Sequence, residues 1–208
     1  MTERTPPTRM NLLRLRRQLD RVLRGADLLR KRREALVAEL FRTARPAIDA
    51  RAAVDQQARK GYAALLEALA VHGRDGLRPL GWPARELTLE IEDATVWGVP
   101  AARIAATPPV RSTPEARGVA PGAAGPAAEI AAEEFESLLE MLLAAAPREL
   151  LLQRLAEALA RTSRQVNTIE QHLAPRLRVD IASITAVLEE REREERLRMR
   201  WLLERRSG

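Results

Sequence analysis

Few side chains in this sequence are of the types that perform chemistry. It contains no cysteine and two histidines, His72 and His172, which excludes thiol catalysis, disulfide frameworks and cysteine-ligated zinc. Asp75 could orient the His72 imidazole, but no serine or cysteine nucleophile lies near it in the sequence. We therefore expect His72 to be a solvated residue at a helix end and His172 to occupy a surface position.

The glycine-rich segment 118–125 is the next candidate, because such segments can bind phosphate through backbone N–H groups. Pro121 interrupts it and no Lys-Ser/Thr pair follows it, whereas a phosphate-binding loop needs that lysine and free N–H groups. The G-x-S-x-G signature of serine hydrolases does not occur either. We expect a chain with no catalytic residues, no cofactor and no bound metal.

The composition indicates that the polar groups are carried on long helices. Charged residues make up 31% of the chain, hydrophobic residues 46% and aromatic residues 3%, which is typical of coiled coils. Residues 1–34 hold eleven Lys/Arg against four Asp/Glu, while residues 35–188 hold 17 against 19. The basic character therefore belongs to the N-terminal part, which argues against a uniformly basic nucleic-acid-binding protein.

Two segments, 8–71 and 147–206, have the spacing of a coiled coil, and Thr8 can cap the first of them. In both, apolar or small residues alternate at spacings of three and four, the seam of a left-handed coiled coil. The seam of the first segment comprises Leu12, Leu15, Leu19, Val22, Ala26, Leu29, Leu36 and Leu40. The seam of the second comprises Leu155, Leu159, Thr162, Val166, Ile169, Leu173, Leu177, Ile181, Ile184 and Leu188.

Each series contains a run of four-residue spacings centred on a proline, Pro46 in the first and Pro175 in the second. We interpret these runs as regions where the supercoil unwinds locally and the prolines as paired bends. If the prolines face each other in an antiparallel hairpin, partner residue numbers add to about 221, and Leu15 lies opposite Arg206. After Leu40 the first series would continue through Ala44, Ile48, Ala52, Ala58, Tyr62, Leu65 and Leu69.

The segment 72–126 concentrates glycine and proline and reads as an insertion between the two helices. Residues 87–92, with Leu87, Leu89 and Ile91 at alternate positions, predict a strand. A second strand with Val96 and Trp97 would follow a turn at 92–94, giving a short β-hairpin at about 86–99. We expect 107–126 to be loop, 127–146 to be a connecting helix, and the last long helix to begin at Pro147. The predicted fold class is mainly α, a long antiparallel two-helix coiled coil with a small β-hairpin insertion.

Two charged clusters stand out on the predicted helices. Residues 189–196 alternate Glu and Arg at favourable i,i+4 spacing, which predicts a solvated helix. Arg30, Lys31, Arg32 and Arg33 surround one helix turn with an excess of positive charge, which favours an anionic partner surface. Pairing between the two clusters across the helices is an alternative interpretation of nearly equal weight.

Several segments resemble the D subunit of V/A-type ATPases, the central rotor shaft of that motor. The resemblance is carried by residues 7–13 and 26–36 in the first helix, 96–100 in the insertion, and 164–170, Pro175 and 188–195 in the last helix. The match spans nearly the whole chain in the right order. Pro46 and the Pro/Gly-rich stretch 107–126 depart from the pattern of the family.

The resemblance implies a shaft whose two termini enter a head of catalytic A and non-catalytic B subunits. The F subunit would lie alongside, and a funnel subunit would join the other end to the membrane ring. The implied contacts with the head involve Thr8, Arg9, Met10, Leu12, Leu13, Arg30, Lys31, Arg32, Arg33, Trp201 and Leu202. ATP chemistry would belong to the head, and this chain would carry torque.

Other classes of protein are less consistent with the sequence. A stalk-like coiled-coil protein of a flagellar or type III export ATPase usually lacks the insertion found at 87–99. A basic adaptor for nucleic acid is disfavoured by the balanced charge beyond residue 34, and an autonomous enzyme by the missing catalytic groups. No secretory signal and no apolar run of about 18 residues occurs. We expect a cytoplasmic chain, peripheral to the membrane, with no nucleic-acid partner and no membrane insertion of its own.

Overall fold

The computed structural model describes residues 6–78, 87–106, 109–111 and 125–206. In chain order the elements are helix α1 (Arg9–Leu77), strands β1 (Glu90–Val96) and β2 (Val99–Ala106), helix α2 (Pro126–Thr168), a π-helical turn (Ile169–Leu173) and helix α3 (Ala174–Arg206). They form two compact units, unit 1 (Met1–Glu34 and Leu159–Gly208) and unit 2 (Ala35–Ala158). The prediction of a mainly α fold with long helices and a small β-hairpin is confirmed.

Helix α1 begins where the sequence predicts a cap. The Thr8 hydroxyl accepts a hydrogen bond from the backbone N–H of Asn11 at 3.2 Å, and the Asn11 side chain donates to the carbonyl of Pro6. These bonds satisfy polar groups that a helix start leaves without intrahelical partners. Helical backbone angles continue through Pro46 as far as Gly73, where φ is 65° and ψ is 174°.

In unit 1, helices α1 and α3 pack through leucine and isoleucine side chains. The core contains Leu15, Leu177 and Ile184, with Leu12, Leu19, Val22, Ile181 and Leu188 packed around it. The helices run antiparallel, because Arg9 pairs with Glu192 near the start of α1 and Arg30 pairs with Glu170 further along it.

These ion pairs correct the predicted register. Paired residue numbers add to 201 for Arg9 and Glu192 and to 200 for Arg30 and Glu170, whereas the paired-proline hypothesis requires about 221. Arg51 and Glu149 in unit 2 give 200 as well. At that register Pro175 lies opposite Gly25 of unit 1, so the prediction that it faces Pro46 is wrong. A slip of three heptads leaves a repeating seam almost unchanged, which is why the leucine spacing alone did not fix the register.

The irregular spacing around Pro175 is a π-helical turn rather than a gradual unwinding. The N–H of Ala174 bonds to the carbonyl of Ile169, five residues earlier. The extra residue turns the following segment by about 100°, so Ala174 is buried and Leu173 is exposed. Leu173 was predicted to lie in the seam, and this displacement is the reason it does not.

In unit 2, helices α1 and α2 pack mainly through small side chains. Val54 packs with Leu138 and Ala145, and Ala64, Ala68 and Ala131 form a second cluster. Buried Gln57 donates hydrogen bonds to the backbone carbonyl and the carboxylate of Glu134. Seven-residue spacing continues through Ala47, Val54, Gly61 and Ala68, all of them buried.

This series corrects the predicted continuation of the first seam. Ile48 and Tyr62, which were expected to lie in the seam, are exposed. Thr43, Gln57 and Gly61 occupy positions on the packed side, and these small or polar residues hid the true series. The three-and-four spacing therefore passes Pro46 without interruption.

The β-hairpin lies later in the chain than predicted. β1 pairs antiparallel with β2 from Glu90 opposite Ala106 to Val96 opposite Val99. Trp97 and Gly98 form the turn with φ values of 52° and 73°, the left-handed angles of a tight hairpin turn that glycine favours. The turn predicted at 92–94 is wrong, since those residues lie inside β1.

The predicted boundaries of the long helices have different outcomes. Regular helical angles in α1 end at Gly73, close to the predicted end at residue 71, and a short helical segment continues to Leu77. Helix α2, in contrast, continues through Pro147 to Thr168 without the predicted break. The missing N–H of Pro147 removes one helical hydrogen bond, but the flanking turns maintain the helix. Most of the predicted loop 107–126 lies outside the described residues.

Candidate functional site

The outward face of α1 in unit 1 carries a row of arginines. Arg14, Arg17, Arg21 and Arg24 alternate at spacings of three and four and are exposed. Because Leu15 and the seam beyond it occupy a different set of positions with the same spacing, the row faces away from the packed side. We call these four residues the basic stripe. The three-and-four spacing of these arginines is present in the sequence, but the sequence prediction considered only the consecutive cations at 30–33.

Arg14, Arg17 and Arg21 form no ion pair with any residue in the described ranges. Arg24 differs, since its guanidinium pairs with Asp20 one turn earlier. Hydrogen bonding from Arg24 lowers the pKa of the Asp20 carboxyl below its ordinary value. Most of the stripe is therefore available to an external carboxylate or other anion.

The cluster at residues 30–33 is divided between two roles. Arg30 binds Glu170 of the π-helical turn at 2.6 Å and Asp27 at 2.7 Å, and the hydrogen bond to Glu170 raises the pKa of its guanidinium. Lys31 and Arg32 are exposed, whereas Arg33 is half-buried. Arg30 thus ties the two helices together at the π-helical turn, leaving the neighbouring cations for a partner.

The predicted pairing between this cluster and residues 189–196 does not occur in the described part of the chain. Glu192 instead pairs with Arg9, and Glu190 pairs with Arg193 on its own helix. The partner of Arg30 is Glu170, about twenty residues away from the location that the predicted register required.

The start of α1 exposes two of the residues proposed to contact the head. Met10 and Leu13 are exposed, while Leu12 packs against the core of unit 1. Arg9 is held by Glu192 at 2.6 Å. Thr8 has the structural role of capping the helix.

Helix α3 continues past the pair formed by Arg9 and Glu192 as far as Arg206. We call residues 193–206 the tip segment, which spans about 20 Å at 1.5 Å per residue. Trp201 and Leu202 are exposed on it together with Leu197. The guanidinium of Arg205 lies 4.3 Å from the centre of the Trp201 ring, a cation–π contact. The tip segment combines apolar and basic groups without a second helix beside it among the described residues.

The remaining predicted seam positions differ in burial. Leu15, Leu36, Leu155, Val166 and Ile184 are buried. The partly buried ones are Leu19, Val22, Leu29, Leu40, Leu159, Ile169, Ile181 and Leu188.

The hairpin is fixed to unit 2 at its turn end. Val99 is buried, and Arg154 of α2 donates a hydrogen bond to the carbonyl of Pro100 at 3.0 Å. Trp97 at the turn is exposed. Its backbone has a left-handed φ angle, and this conformation costs a non-glycine residue about 1–2 kcal/mol. Leu87 and Leu89 are half-buried, Val96 is half-buried, and Ile91 is exposed.

His72 is less solvated than its sequence position predicts. Its side chain is half-buried, and its Nε2 atom has no hydrogen-bond partner among the described residues. The backbone of Gly125 lies directly against the ring, so that a Cβ atom there would approach Nε2 to 2.7 Å. His172 is exposed.

The geometry favours binding between surfaces. Within the described ranges, no three His, Asp or Glu side chains are grouped as a metal site requires. Among the helices of those ranges, none combines the length and apolar character needed to cross a membrane. Among the surfaces that the described residues offer to a partner are the basic stripe, Lys31 with Arg32, and the tip segment.

Comparison with known proteins gives one consistent result. Residues 11–204 match the family model described as the ATP synthase D subunit. The chain is 40% identical over 198 residues to the V-type ATP synthase D subunit of Anaeromyxobacter dehalogenans (strain 2CP-C), covering 95% of this chain and 94% of the relative. It is also 40% identical over 196 residues to that of Thermus thermophilus, covering 93% and 85%. The A-type ATP synthase D subunit of Thermococcus kodakarensis is 33% identical over 208 residues, with 97% and 96% covered.

Proposed function

The chain belongs to the ATP synthase D subunit family, and from this we propose that it is the central rotor shaft of a V/A-type ATP synthase. It transmits torque between an ATP-processing head of A and B subunits and the ion-translocating ring in the membrane. The observation that carries the proposal is the division of unit 1, where leucine and isoleucine join two helices on the inside while unpaired arginines face outward.

A part that transmits torque must keep its two helices from slipping past each other. In unit 1 the apolar core holds the two helices together but does little to select their register, because a heptad seam repeats along its length. The ion pairs of Arg9 with Glu192 and of Arg30 with Glu170 mark one register at two separate positions. Directional contacts of this kind select one register among the repeats, while the interdigitated core opposes the sliding itself.

The contact with the head must be broken and remade at every step of rotation. Large apolar contacts release slowly because they exclude water over a wide area, whereas exposed ion pairs are weak individually and screened by water. The basic stripe and Lys31 with Arg32 fit this demand. They would face carboxylates on the inner surface of the head.

The tip segment would enter the centre of the head. Its exposed Trp201 and Leu202, with Met10 and Leu13 at the start of α1, would form a small apolar contact on the rotation axis, where the surfaces move least and need not separate at each step. This chain would carry no catalytic residue, since ATP is processed in the head.

The other partners follow from the same role. The F subunit would bind alongside the shaft, and the funnel subunit would connect unit 2 to the membrane ring. The chain would thus be cytoplasmic and attached to the membrane only through the complex. Family membership supports this role over the alternatives considered from the sequence, namely an export-ATPase stalk, a nucleic-acid adaptor and an autonomous enzyme.

The test is the rotation of a complex reconstituted from the A, B and F subunits and this chain. The variant changes Arg14, Arg17 and Arg21 to Gln, and its control changes Arg45, Lys60 and Arg74 to Gln. Both lose three exposed cations, but the control loses them in unit 2. We expect the first variant to hydrolyse ATP with at least a fivefold lower probability of a completed rotation step, and the control to rotate normally. Equal rotation in both variants would refute the role of the stripe.

A further inference from the structure

Helix α1 in unit 2 exposes large apolar side chains that its packing on α2 leaves uncovered. Ile48 is 65% exposed, Tyr62 60% and Leu66 67%. Single exposed apolar residues are ordinary on a protein surface, but several large ones along one face mark a contact surface. Together with the exposed residues between them they form a set that we call the outward stripe, which comprises Ile48, Ala52, Asp55, Arg59, Tyr62 and Leu66.

The outward stripe is a second heptad seam on α1. Its members follow one another at spacings of four, three, four, three and four, the alternation of a coiled-coil seam. Ile48 and Tyr62 each follow a packed residue, Ala47 or Gly61, by one position, which is about 100° around the helix. The stripe therefore lies on a different face from the packed side, although the Tyr62 ring reaches the edge of Phe135 on α2, with 5.8 Å between ring centres.

The outward stripe is complementary to a reversed copy of itself. If two copies of the chain pair antiparallel with residue numbers that add to 114, Ile48 of one lies opposite Leu66 of the other. Small Ala52 then lies opposite large Tyr62, and Asp55 lies opposite Arg59. A two-fold axis beside residue 57 makes each contact twice, which is the arrangement of a symmetric dimer interface.

The neighbouring alignments of two stripes match less well. A shift of one heptad places Ile48 against Arg59 and Ala52 against Asp55, or in the other direction Leu66 against Asp55. Parallel pairing places Asp55 against Asp55 and Arg59 against Arg59. Polar and charged residues within a seam select register and orientation in this way, because mismatched or like charges are unfavourable there.

The charged members of the outward stripe are able to form this contact. Asp55 has one partner on its own helix, since its Oδ1 lies 3.4 Å from Nε of Arg51, and both side chains are exposed. Exposed pairs of this kind contribute little, a carboxylate accepts several hydrogen bonds, and Arg51 also pairs with Glu149. Within the described ranges Arg59 belongs to no ion pair.

We propose that the free chain forms an antiparallel homodimer through the outward stripe. Ile48 and Leu66 supply the apolar contact, and Asp55 with Arg59 selects the register. The inference goes beyond the proposed function, because antiparallel pairing points two copies in opposite directions, whereas the shaft of one motor is a single copy on its axis. The dimer therefore belongs to the chain before assembly, when it removes the apolar side chains of the stripe from water.

The natural absence of cysteine allows a direct test of the register by disulfide formation. Full-length Ile48→Cys and Leu66→Cys chains are oxidised separately and as an equal mixture. In the mixture each dimer of unlike chains has one layer with two cysteines, and its other layer keeps the natural Ile48 and Leu66. The control mixture combines Ile48→Cys with Ala52→Cys, positions that the proposed register holds about 20 Å apart.

We expect at least fivefold more disulfide-linked dimer in the mixture of Ile48→Cys and Leu66→Cys than in the control mixture or in either variant alone. Dominant crosslinking of Ile48→Cys to itself would indicate parallel pairing, and equal yields in all samples would indicate random collision. Either result would overturn the proposal.

Charge exchange tests whether Asp55 and Arg59 select the register. Arg59→Asp places aspartates opposite each other in two layers, and the association constant from sedimentation equilibrium should fall at least tenfold. Asp55→Arg combined with Arg59→Asp restores opposite charges in both layers, and association should return to within threefold of that of the natural chain. Failure of the exchange to restore association would show that these residues do not face each other.

A final pair of variants measures the apolar contact. Ile48→Ser should lower the association constant at least tenfold, whereas Ile130→Ser, which removes an exposed isoleucine from α2 instead, should leave it unchanged. Thermal melts of dilute samples should be alike, because neither isoleucine is buried. A natural chain that stays monomeric up to about 1 mM would overturn the dimer and leave the stripe to a different protein, while the proposed function, tested by rotation, would stand.

Discussion

Units 1 and 2 are each built around two packed helices, but they differ in which side chains pack inside and which face outward on α1. Unit 1 has Leu15, Leu177 and Ile184 inside and arginines outside. Unit 2 packs largely through alanines and exposes large apolar side chains on α1, among them Phe41 and Ile48. The difference gives one helix a charged outer surface in unit 1 and an apolar outer surface in unit 2.

The largest expected effect on stability tests the difference between the packed cores of the two units. Leu15→Ala removes a buried side chain from the core of unit 1 and should lower the free energy of unfolding by about 2–5 kcal/mol. Ala68→Gly in the alanine cluster of unit 2 loses helix propensity and one buried methyl group, and should cost about 1–2 kcal/mol. Urea denaturation of the full chain, followed by circular dichroism, measures both. Losses of equal size would mean that the two cores do not differ in the way their side chains suggest.

A pair of glycines gives effects of opposite sign in the two units. In unit 2, Gly125→Ala would place a Cβ atom 2.6 Å from Cε1 of His72, and we expect a loss of about 1–3 kcal/mol from this overpacking. In unit 1, Gly25 has open space around the Cβ position, so Gly25→Ala should stabilise α1 by about 0.5–1 kcal/mol. Thermal melts of the two variants decide the matter. Stabilisation by both would show that the His72 ring moves aside freely.

The smallest effect concerns pH. Hydrogen bonds from Arg42 lower the pKa of buried Glu39 in unit 2 below its ordinary value, outweighing the opposite effect of desolvation. A carboxyl with a lowered pKa stabilises the folded state above its ordinary pKa, and this contribution disappears as the pH falls through the folded pKa. Glu39→Gln should therefore reduce the stability lost between about pH 5 and pH 3, by about 0.2–0.5 kcal/mol.

Asp20→Asn is the matched control in unit 1, where Arg24 lowers the pKa of an exposed carboxyl. Solvent screening should make its effect smaller than that of Glu39→Gln. Melting temperatures measured across the acidic range compare the two. A larger change for Asp20→Asn would mean that burial of Glu39 does not strengthen its pair with Arg42.

The sequence predicted the helices and the core of unit 1 because large leucines mark that seam without competition. It failed in unit 2 because the large residues there face outward. The seam was predicted to contain Ile48 and Tyr62, which are exposed, whereas the small residues Ala47 and Gly61 lie in the packed seam. Size alone does not distinguish a packed residue from an exposed one.

The candidate surfaces were only partly visible in the sequence. Four consecutive cations at 30–33 attracted attention, although Arg30 is tied to Glu170 and the more open arginines are dispersed along the basic stripe. Predicting the helix register requires knowing which charged residues pair across the helices. Heptad spacing does not reveal these pairs, because it repeats regularly along both helices. Trp97-Gly98 could have indicated the hairpin turn, but the alternation at 87–92 was the stronger pattern.

The π-helical turn at Ile169–Leu173 also affects how this gene can change in length. In a regular helix of fixed register, losing one codon turns every later side chain by about 100° and moves the seam off its partner. Between Ile169 and Ala174 the seam already spans five residues in place of four. A one-codon deletion among residues 171–173 would leave a regular helix with Val166, Ile169 and Ala174 in unbroken heptad spacing. Homologous sequences can therefore lose one residue in this segment and still keep the apolar packing on either side of it.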